Sequence, residues 1–159
     1  FKVDLDNNLV NSFNREEEYY DFINNNKLKK YILNKVELID MDLLHPIEKF
    51  IDSRIEILYE KIFNEKLWLK PIIVDDKDYL IMDGHHRFEV AKKIGLKKIP
   101  VVKVSYNDVE IWSLKESEYV NKKEVRKRAL NSDIYPHKTV KHSFDFEVCS
   151  CNIKLDQLK

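Results

Sequence analysis

The sequence predicts an α+β domain in which a small mixed sheet is flanked by helices. Two observations support this class. Apolar runs of strand length, such as residues 72–74 and 99–104, alternate along the chain with segments whose apolar residues recur at helical spacing. In addition, the two apolar runs on either side of the charged turn 75–78 predict a hairpin, and a helical pattern follows that hairpin directly.

The first part of the chain differs from the rest in its pattern. Residues 1–13 are polar without a clear period, so we expect a tail or an edge segment there. Apolar residues at helical spacing predict short helices over 14–23 and 27–34. We therefore divide the chain into an N-terminal helical extension, residues 1–35, and a main domain, residues 36–159.

The elements of the main domain follow from local signals. Pro46 suits the first position of a helix, and apolar residues then recur three and four apart. Gly95 suits the end of a helix, and residues 144–148 alternate between apolar and polar. The predicted strands are 36–39, 72–74, 79–82, 99–104, 109–112 and 144–148, the predicted helices are 46–64, 85–94 and 116–130, and a short closing element covers 153–158.

Residues 83–87, Asp-Gly-His-His-Arg, stand where the hairpin ends and the helix begins. Gly84 is one of two glycines in the chain, and it lets the backbone turn sharply or approach a ligand closely. The unpaired N–H groups of a first helical turn attract anions, so His85, His86 and Arg87 would complete a phosphate or carboxylate cradle. Asp83 could orient a hydroxyl or help hold a metal. The alternative is an ordinary surface turn with solvated charges.

Composition narrows the class of protein. The chain has 159 residues, 43% hydrophobic and 35% charged, which is typical of a soluble globular domain. Its 28 basic and 28 acidic residues cancel, and this balance argues against nucleic acid as a partner. Cys149 and Cys151 have neither disulfide nor zinc spacing. With no membrane-spanning run and no signal-peptide pattern, we expect a cytoplasmic protein without membrane partners.

Three patches rich in donors and acids lie at junctions between elements: residues 44–48, 83–87 and 136–142. Phosphoryl transfer requires positive donors around phosphate oxygens, a carboxylate near the acceptor hydroxyl, and usually a divalent metal. The second patch offers the donors, and either Glu48 or Asp83 offers the carboxylate. Taken singly, each residue also has an ordinary structural interpretation.

The order of these motifs resembles the ParB/sulfiredoxin-like fold, and within it the free L-serine kinases. That family has a proline with a glutamate two residues later, here Pro46 and Glu48, and it has Asp-Gly-His-His-Arg, here residues 83–87. Its late Lys-Thr-x-Arg-His segment matches residues 138–142, except that Lys141 replaces the arginine. Sulfiredoxins carry a cysteine in the turn at Gly84, and this chain has none there.

The resemblance implies a reaction and a set of roles. The enzyme would make O-phospho-L-serine from L-serine with ADP or ATP as donor, and Mg²⁺ would bridge phosphate oxygens. Glu48 would be the general base, with Asp83 beside it in the catalytic site; the metal ligands stay open. The nucleotide phosphates would contact Gly84, His85, His86, Arg87 and Lys138. The amino acid would contact Asp83, Trp112, Thr139, Lys141 and His142.

Two other functions belong to different classes. One is a ParB-like nucleotide-binding or DNA-binding regulatory module without kinase activity, and the other is a relative that only binds nucleotide or serine. ParB partition proteins carry a helix-turn-helix domain after this fold, and the sequence offers no residues for one, so we expect the kinase. Retention of Glu48 favours the enzyme over the simple binder.

Overall fold

The computed structural model describes residues 2–3, 9–10, 35–146, 148 and 150–159. The helices predicted over 14–23 and 27–34, and with them the helical extension, lie outside these residues. The helices are α1 Asp52–Glu65, α2 His85–Ile94 and α3 Lys122–Leu130. The strands are β1 Lys2–Val3, β2 Leu9–Val10, β3 Val36–Asp40, β4 Leu67–Trp68, β5 Ile72–Asp75, β6 Ile81–Asp83, β7 Lys98–Val104, β8 Glu110–Ser113, β9 Val140–Ser143, β10 Ser150–Cys151 and β11 Ile153–Lys154.

The core of the domain is a four-stranded mixed sheet in the order β3-β7-β5-β6. β5 and β7 run parallel at its centre, while β3 and β6 pair antiparallel at the edges. All four residues of β5 are buried, as expected for a central strand covered on both faces. α1 packs against α2. This is the α+β class with a mixed sheet that the sequence predicts, and the hairpin of β5 and β6 is confirmed.

Smaller sheets extend the core. β1 pairs with β10 on one side and β2 on the other, so β1 is the middle strand of a three-stranded sheet and β2 lies at its edge. β4 pairs with β11 near the C-terminus, and β8 pairs with β9 beside the site described below. α3 is tied to the core by Arg126, whose guanidinium bonds the fully buried carboxylate of Asp75 at 2.7 Å.

Both glycines act as predicted at the two ends of α2. Gly84 has φ +109° before the first helical residue, and Gly95 has φ +85° where its N–H bonds the carbonyls of Ala91 and Lys92. Both φ values lie in the left-handed region that glycine tolerates best. The predicted helix over 85–94 is therefore confirmed to the residue.

The helix predicted over 46–64 is wrong at its start, because α1 begins at Asp52. Residues 45–49 are extended instead: Ile47 and Lys49 exchange backbone hydrogen bonds with Tyr135 at 2.9 Å each, and His45 bridges to Leu80. These contacts decide the local structure despite the helical spacing, since the extended backbone of residues 45–49 forms hydrogen bonds with residues distant in the sequence. Glu48 consequently lies in a loop rather than in a first helical turn.

Two further boundaries differ from the prediction. α3 begins only at Lys122, where the Asn121 side chain accepts a 2.7 Å hydrogen bond from the Glu124 N–H and caps the helix. The strand predicted over 144–148 is also wrong, because β9 ends at Ser143 and residues 144–146 form a loop. Ser143 pairs with Glu110, the first residue of β8, so the chain has no β8 partner beyond that point.

Candidate functional site

The three patches found in the sequence meet at one cavity of about 710 Å³. It opens between the start of α2, the extended loop before α1, and the segment leading into β9. An apolar wall completes it, with Leu114, Phe144 and Phe146 among its members. The predicted site residues that line the cavity are Glu48, Asp83, Gly84, His85, His86, Arg87, Lys138, Lys141 and His142.

Glu48 is held by the third patch. Its Oε2 accepts hydrogen bonds from the backbone N–H groups of Thr139 (3.2 Å) and Val140 (3.1 Å), and Lys138 contributes a further backbone hydrogen bond. Lys138 has φ +52°, a left-handed conformation that helps successive N–H groups converge on one anion. The sequence gives no direct sign of this contact, because the partners are about ninety residues apart.

The environment of Glu48 sets its chemistry. Partial burial raises the pKa of its carboxyl above the usual 4.5, while the backbone N–H groups of Val140, Thr139 and Lys138 oppose that rise. A carboxylate with a raised pKa at the edge of a cavity is suited to accept a proton.

The two histidines of the second patch hold the loop that carries Glu48. His85 Nε2 accepts a hydrogen bond from the Ile47 N–H at 3.1 Å, and His86 Nε2 accepts one from the Ile51 N–H at 3.2 Å. An imidazole nitrogen that accepts is unprotonated, so any proton on the ring is on Nδ1. Burial lowers the pKa of His85 to about 3, with further lowering by His142 and His86, and burial also lowers the pKa of His86. His85 is therefore neutral at pH 7.

The guanidinium of Arg87 is engaged by protein atoms. Nη1 donates to the carbonyls of Lys70 (2.7 Å) and Pro71 (2.8 Å), and Nη2 donates to Asp83 Oδ2 at 3.1 Å. A Cβ on Gly84 would lie 2.9 Å from Ile72 Cγ1 and 3.0 Å from Arg87 Nη2, so glycine is required for this packing. The sequence suggested Arg87 as a phosphate donor, whereas its contacts here tie the start of α2 to the chain before β5.

His142 forms the opposite wall. Its Nε2 lies 3.0 Å from the Tyr106 hydroxyl, and its ring stacks on Phe144 with centroids 6.1 Å apart. Burial lowers the pKa of His142 to about 4; Asp83 opposes that fall and Lys141 adds to it. Tyr106, Phe144 and Phe146 were not predicted as site residues. The alternation of Phe144 and Phe146 is the signal that the sequence offers for these rings, and it predicts a strand rather than a cavity wall.

Two predicted substrate contacts are not brought to the cavity. Thr139 is fully buried, and its hydroxyl donates to the Pro136 carbonyl at 2.7 Å, so its contribution to the site is the N–H on Glu48. Trp112 is 44% exposed and does not line the cavity. Lys141, its register partner in the β8–β9 ladder, lies at the rim with an exposed side chain.

No cluster of three or more metal-ligating side chains occurs in the part of the chain that the structure describes. Two carboxylates, those of Glu48 and Asp83, nevertheless line the same cavity, and the Asp83 side chain is 47% exposed. Mg²⁺ is commonly held by one or two carboxylates together with substrate phosphates rather than by an all-protein cage. The residues present fit that mode of binding.

The neutral histidines predict a pH-dependent stability. The unfolded chain binds protons on His85 and His142 below about pH 6.5, whereas the folded state does so only near pH 3 to 4, so acidification favours unfolding. We expect the free energy of unfolding to fall by about 2–4 kcal/mol in total between pH 7 and pH 5. Urea titrations at the two pH values measure this. His142→Gln should remove roughly half of the fall; an unchanged difference in that variant would contradict the assignment.

Within the described residues no helix is long and apolar enough to cross a membrane.

Three comparisons relate the chain to known proteins. The model of the ParB N-terminal domain matches residues 24–130. An ATP-dependent L-serine kinase of Staphylothermus marinus is 42% identical over 79 residues, which cover 46% of this chain and 31% of that protein. An ADP-dependent L-serine kinase of Thermococcus kodakarensis is 32% identical over 97 residues, which cover 55% of this chain and 40% of that protein. The aligned part thus spans less than half of each relative.

The structure resembles that of a free serine kinase in complex with AMP, with a TM-score of 0.71 at 17% identity. The match covers 78% of this chain and 93% of the other. At this identity the likeness concerns the fold, and it confirms the predicted ParB-like fold. Together with the curated relatives, it also confirms the resemblance to the free serine kinases that the motifs indicated.

Proposed function

The chain belongs to the ParB N-terminal domain family, and from this premise we propose that it is a kinase that transfers a phosphoryl group from a nucleotide to the hydroxyl of free L-serine. The product would be O-phospho-L-serine. The names of the relatives support the substrate, since they are L-serine kinases. The proposed substrates are cytoplasmic metabolites, and we place the reaction in that compartment.

The observation that carries this proposal is the placement of Glu48. One carboxylate oxygen is fixed by backbone N–H groups, and the cavity meets the same side chain. In the proposed step Glu48 accepts the serine hydroxyl proton while the serine oxygen forms a bond to phosphorus. The bond from phosphorus to the bridging oxygen of the nucleotide breaks, and the shortened nucleotide leaves with that electron pair.

The start of α2 supports a phosphate site. The first N–H groups of a helix have no partner within the helix, and Gly84, His85 and His86 at the start of α2 line the cavity. His85 and His86 are better suited to hold the Glu48 loop than to supply charge, because their Nε2 atoms are already bonded. Lys138 and Lys141 supply positive charge at the rim. Mg²⁺ would be held by Asp83 with the phosphates, and it would screen their charge.

The contacts of the amino acid follow from what lines the cavity. We propose that His142 and Lys141, which line the cavity, bind the serine carboxylate. The Phe144 and Phe146 rings, 5.5 Å apart, offer an apolar surface for the nucleotide base. The donor stays open between ATP and ADP, because the two relatives are named for different nucleotides.

Phosphorus NMR tests the proposal in one experiment. The full chain is incubated with Mg²⁺ and L-serine, once with ATP and once with ADP, and D-serine serves as the matched control substrate. We expect a phosphomonoester signal of O-phosphoserine with one nucleotide and L-serine. If no signal forms while thermal shifts show that a nucleotide binds, the kinase proposal fails. The alternative from the family match, a nucleotide-binding or DNA-binding regulatory module without kinase activity, then takes its place.

A further inference from the structure

A second cavity lies on the other side of Tyr106, between α3, the turn after β5 and the turn after β7. Its volume is about 470 Å³, and we call it the α3 cavity. Its uncharged lining includes Ser105, Tyr106 and Asn107. Its charged lining consists of Asp76, Lys77, Lys122, Lys123, Arg126 and Lys127. Basic groups therefore dominate a concave surface in a chain whose formal net charge is zero.

The lysines of the α3 cavity are uncompensated. Arg126 is neutralised, since its guanidinium bonds the carboxylates of Asp75 and Asp78. In contrast, none of the four lysines forms an ion pair with an acidic side chain among the described residues, whereas some lysines elsewhere in the domain do, for example Lys103 with Glu37. The unpaired charge at this cavity is therefore mainly positive.

The placement of these lysines works against the stability of α3. Lys122 and Lys123 occupy the first turn, where the helix dipole is positive and acidic residues are favoured. Lys123 also stands four residues before Lys127, a spacing at which like charges on a helix repel. Folding does not require lysines at these positions. A bound anion would reverse both effects, because its negative charge attracts the positive end of the helix dipole and also both Lys123 and Lys127.

We propose that the α3 cavity binds a small molecule carrying phosphate groups with at least two negative charges, at a site separate from the cavity of Glu48. The concave shape suits a small ligand better than an extended nucleic acid backbone. The acids around the helix, Glu118, Glu124 and Asp133, also interrupt any longer basic surface. Ser105 and Asn107 add hydrogen-bonding groups to the wall. The proposal does not depend on kinase activity.

Inorganic pyrophosphate is the probe, and amide chemical shifts of the labelled full chain are the primary measurement. We expect shifts at Ser105, Asn107 and residues 122–127, distinct from any shifts at Gly84 and Lys138 in the other cavity. The double variant Lys123→Gln with Lys127→Gln should weaken pyrophosphate binding at the α3 cavity by at least about tenfold, because two charged donors are lost. In this double variant, any shift that pyrophosphate causes at Gly84 should be the same as in the unmodified chain.

The matched control is Lys61→Gln with Lys97→Gln, which removes the same charge from exposed positions that line neither cavity. It should retain the affinity of the unmodified chain. Equal weakening in both double variants would reduce the effect to overall charge and overturn the proposal. Pyrophosphate-induced shifts that are confined to the Glu48 cavity would also overturn the proposal. Shifts of residues 122–127 produced by a DNA duplex but not by pyrophosphate would assign the surface to nucleic acid instead. All these outcomes can still be distinguished if no O-phosphoserine forms, because the binding measurement does not require kinase activity.

Discussion

Replacing Glu48 with glutamine is expected to lower the rate of L-serine phosphorylation by about 10²–10⁴-fold, the usual contribution of a general base. Glutamine keeps a carbonyl oxygen that can accept the N–H groups of Thr139 and Val140, so the loop should stay in place. It cannot take up the hydroxyl proton. The rate is measured as O-phosphoserine formed at saturating nucleotide and serine, together with the affinity for each substrate.

The control for this variant is Glu60→Gln, which makes the same chemical change at an exposed position of α1. Both variants should unfold at the same temperature as the unmodified chain, within about 2 °C. An unchanged rate in Glu48→Gln would remove Glu48 from the mechanism. A lost rate accompanied by a large fall in melting temperature would assign Glu48 a structural role, and the kinase proposal would then need another base.

Local signals in the sequence were sufficient for the elements whose geometry is set locally. Gly84 and Gly95 mark the ends of α2 because each adopts a positive φ there. The continuous apolar run 72–74 predicts a strand that is covered on both faces, and β5 is buried throughout. That the motifs around residues 48, 83–87 and 138–142 lie at one cavity is a finding of the structure. Their spacing in the sequence left this open, and the family resemblance only assigned the motifs to one reaction.

The errors have a common physical cause, which is that contacts distant in sequence decided the local structure. Residues 45–49 have helical spacing but become extended because Tyr135 and His85 satisfy their backbone groups. The same contacts change the interpretation of His85 and His86. A histidine next to a helix start suggests charge for a phosphate, but the Nε2 atom of each of these histidines already accepts an N–H of the segment before α1.

Arg87 presents the sharpest case of this kind, and it leads to a prediction that separates the two interpretations. Arg87→Ala should lower the free energy of unfolding by about 2–4 kcal/mol, because a largely buried guanidinium with three hydrogen bonds is lost. If Arg87 served only as a phosphate donor, the variant would lose nucleotide affinity at unchanged stability. Urea titration and calorimetric titration with nucleotide measure the two quantities separately.

Arg54→Ala is the matched control, since Arg54 is an exposed arginine that lines the same cavity and forms no ion pair among the described residues. It should change the free energy of unfolding by no more than about 0.5 kcal/mol. Equal stability of the two variants would contradict a structural role for Arg87. A selective loss in Arg87→Ala would mean that the arginine of the Asp-Gly-His-His-Arg motif fixes residues 70–71 and Asp83 in place. The phosphates would then depend on the backbone of α2 and on the rim lysines.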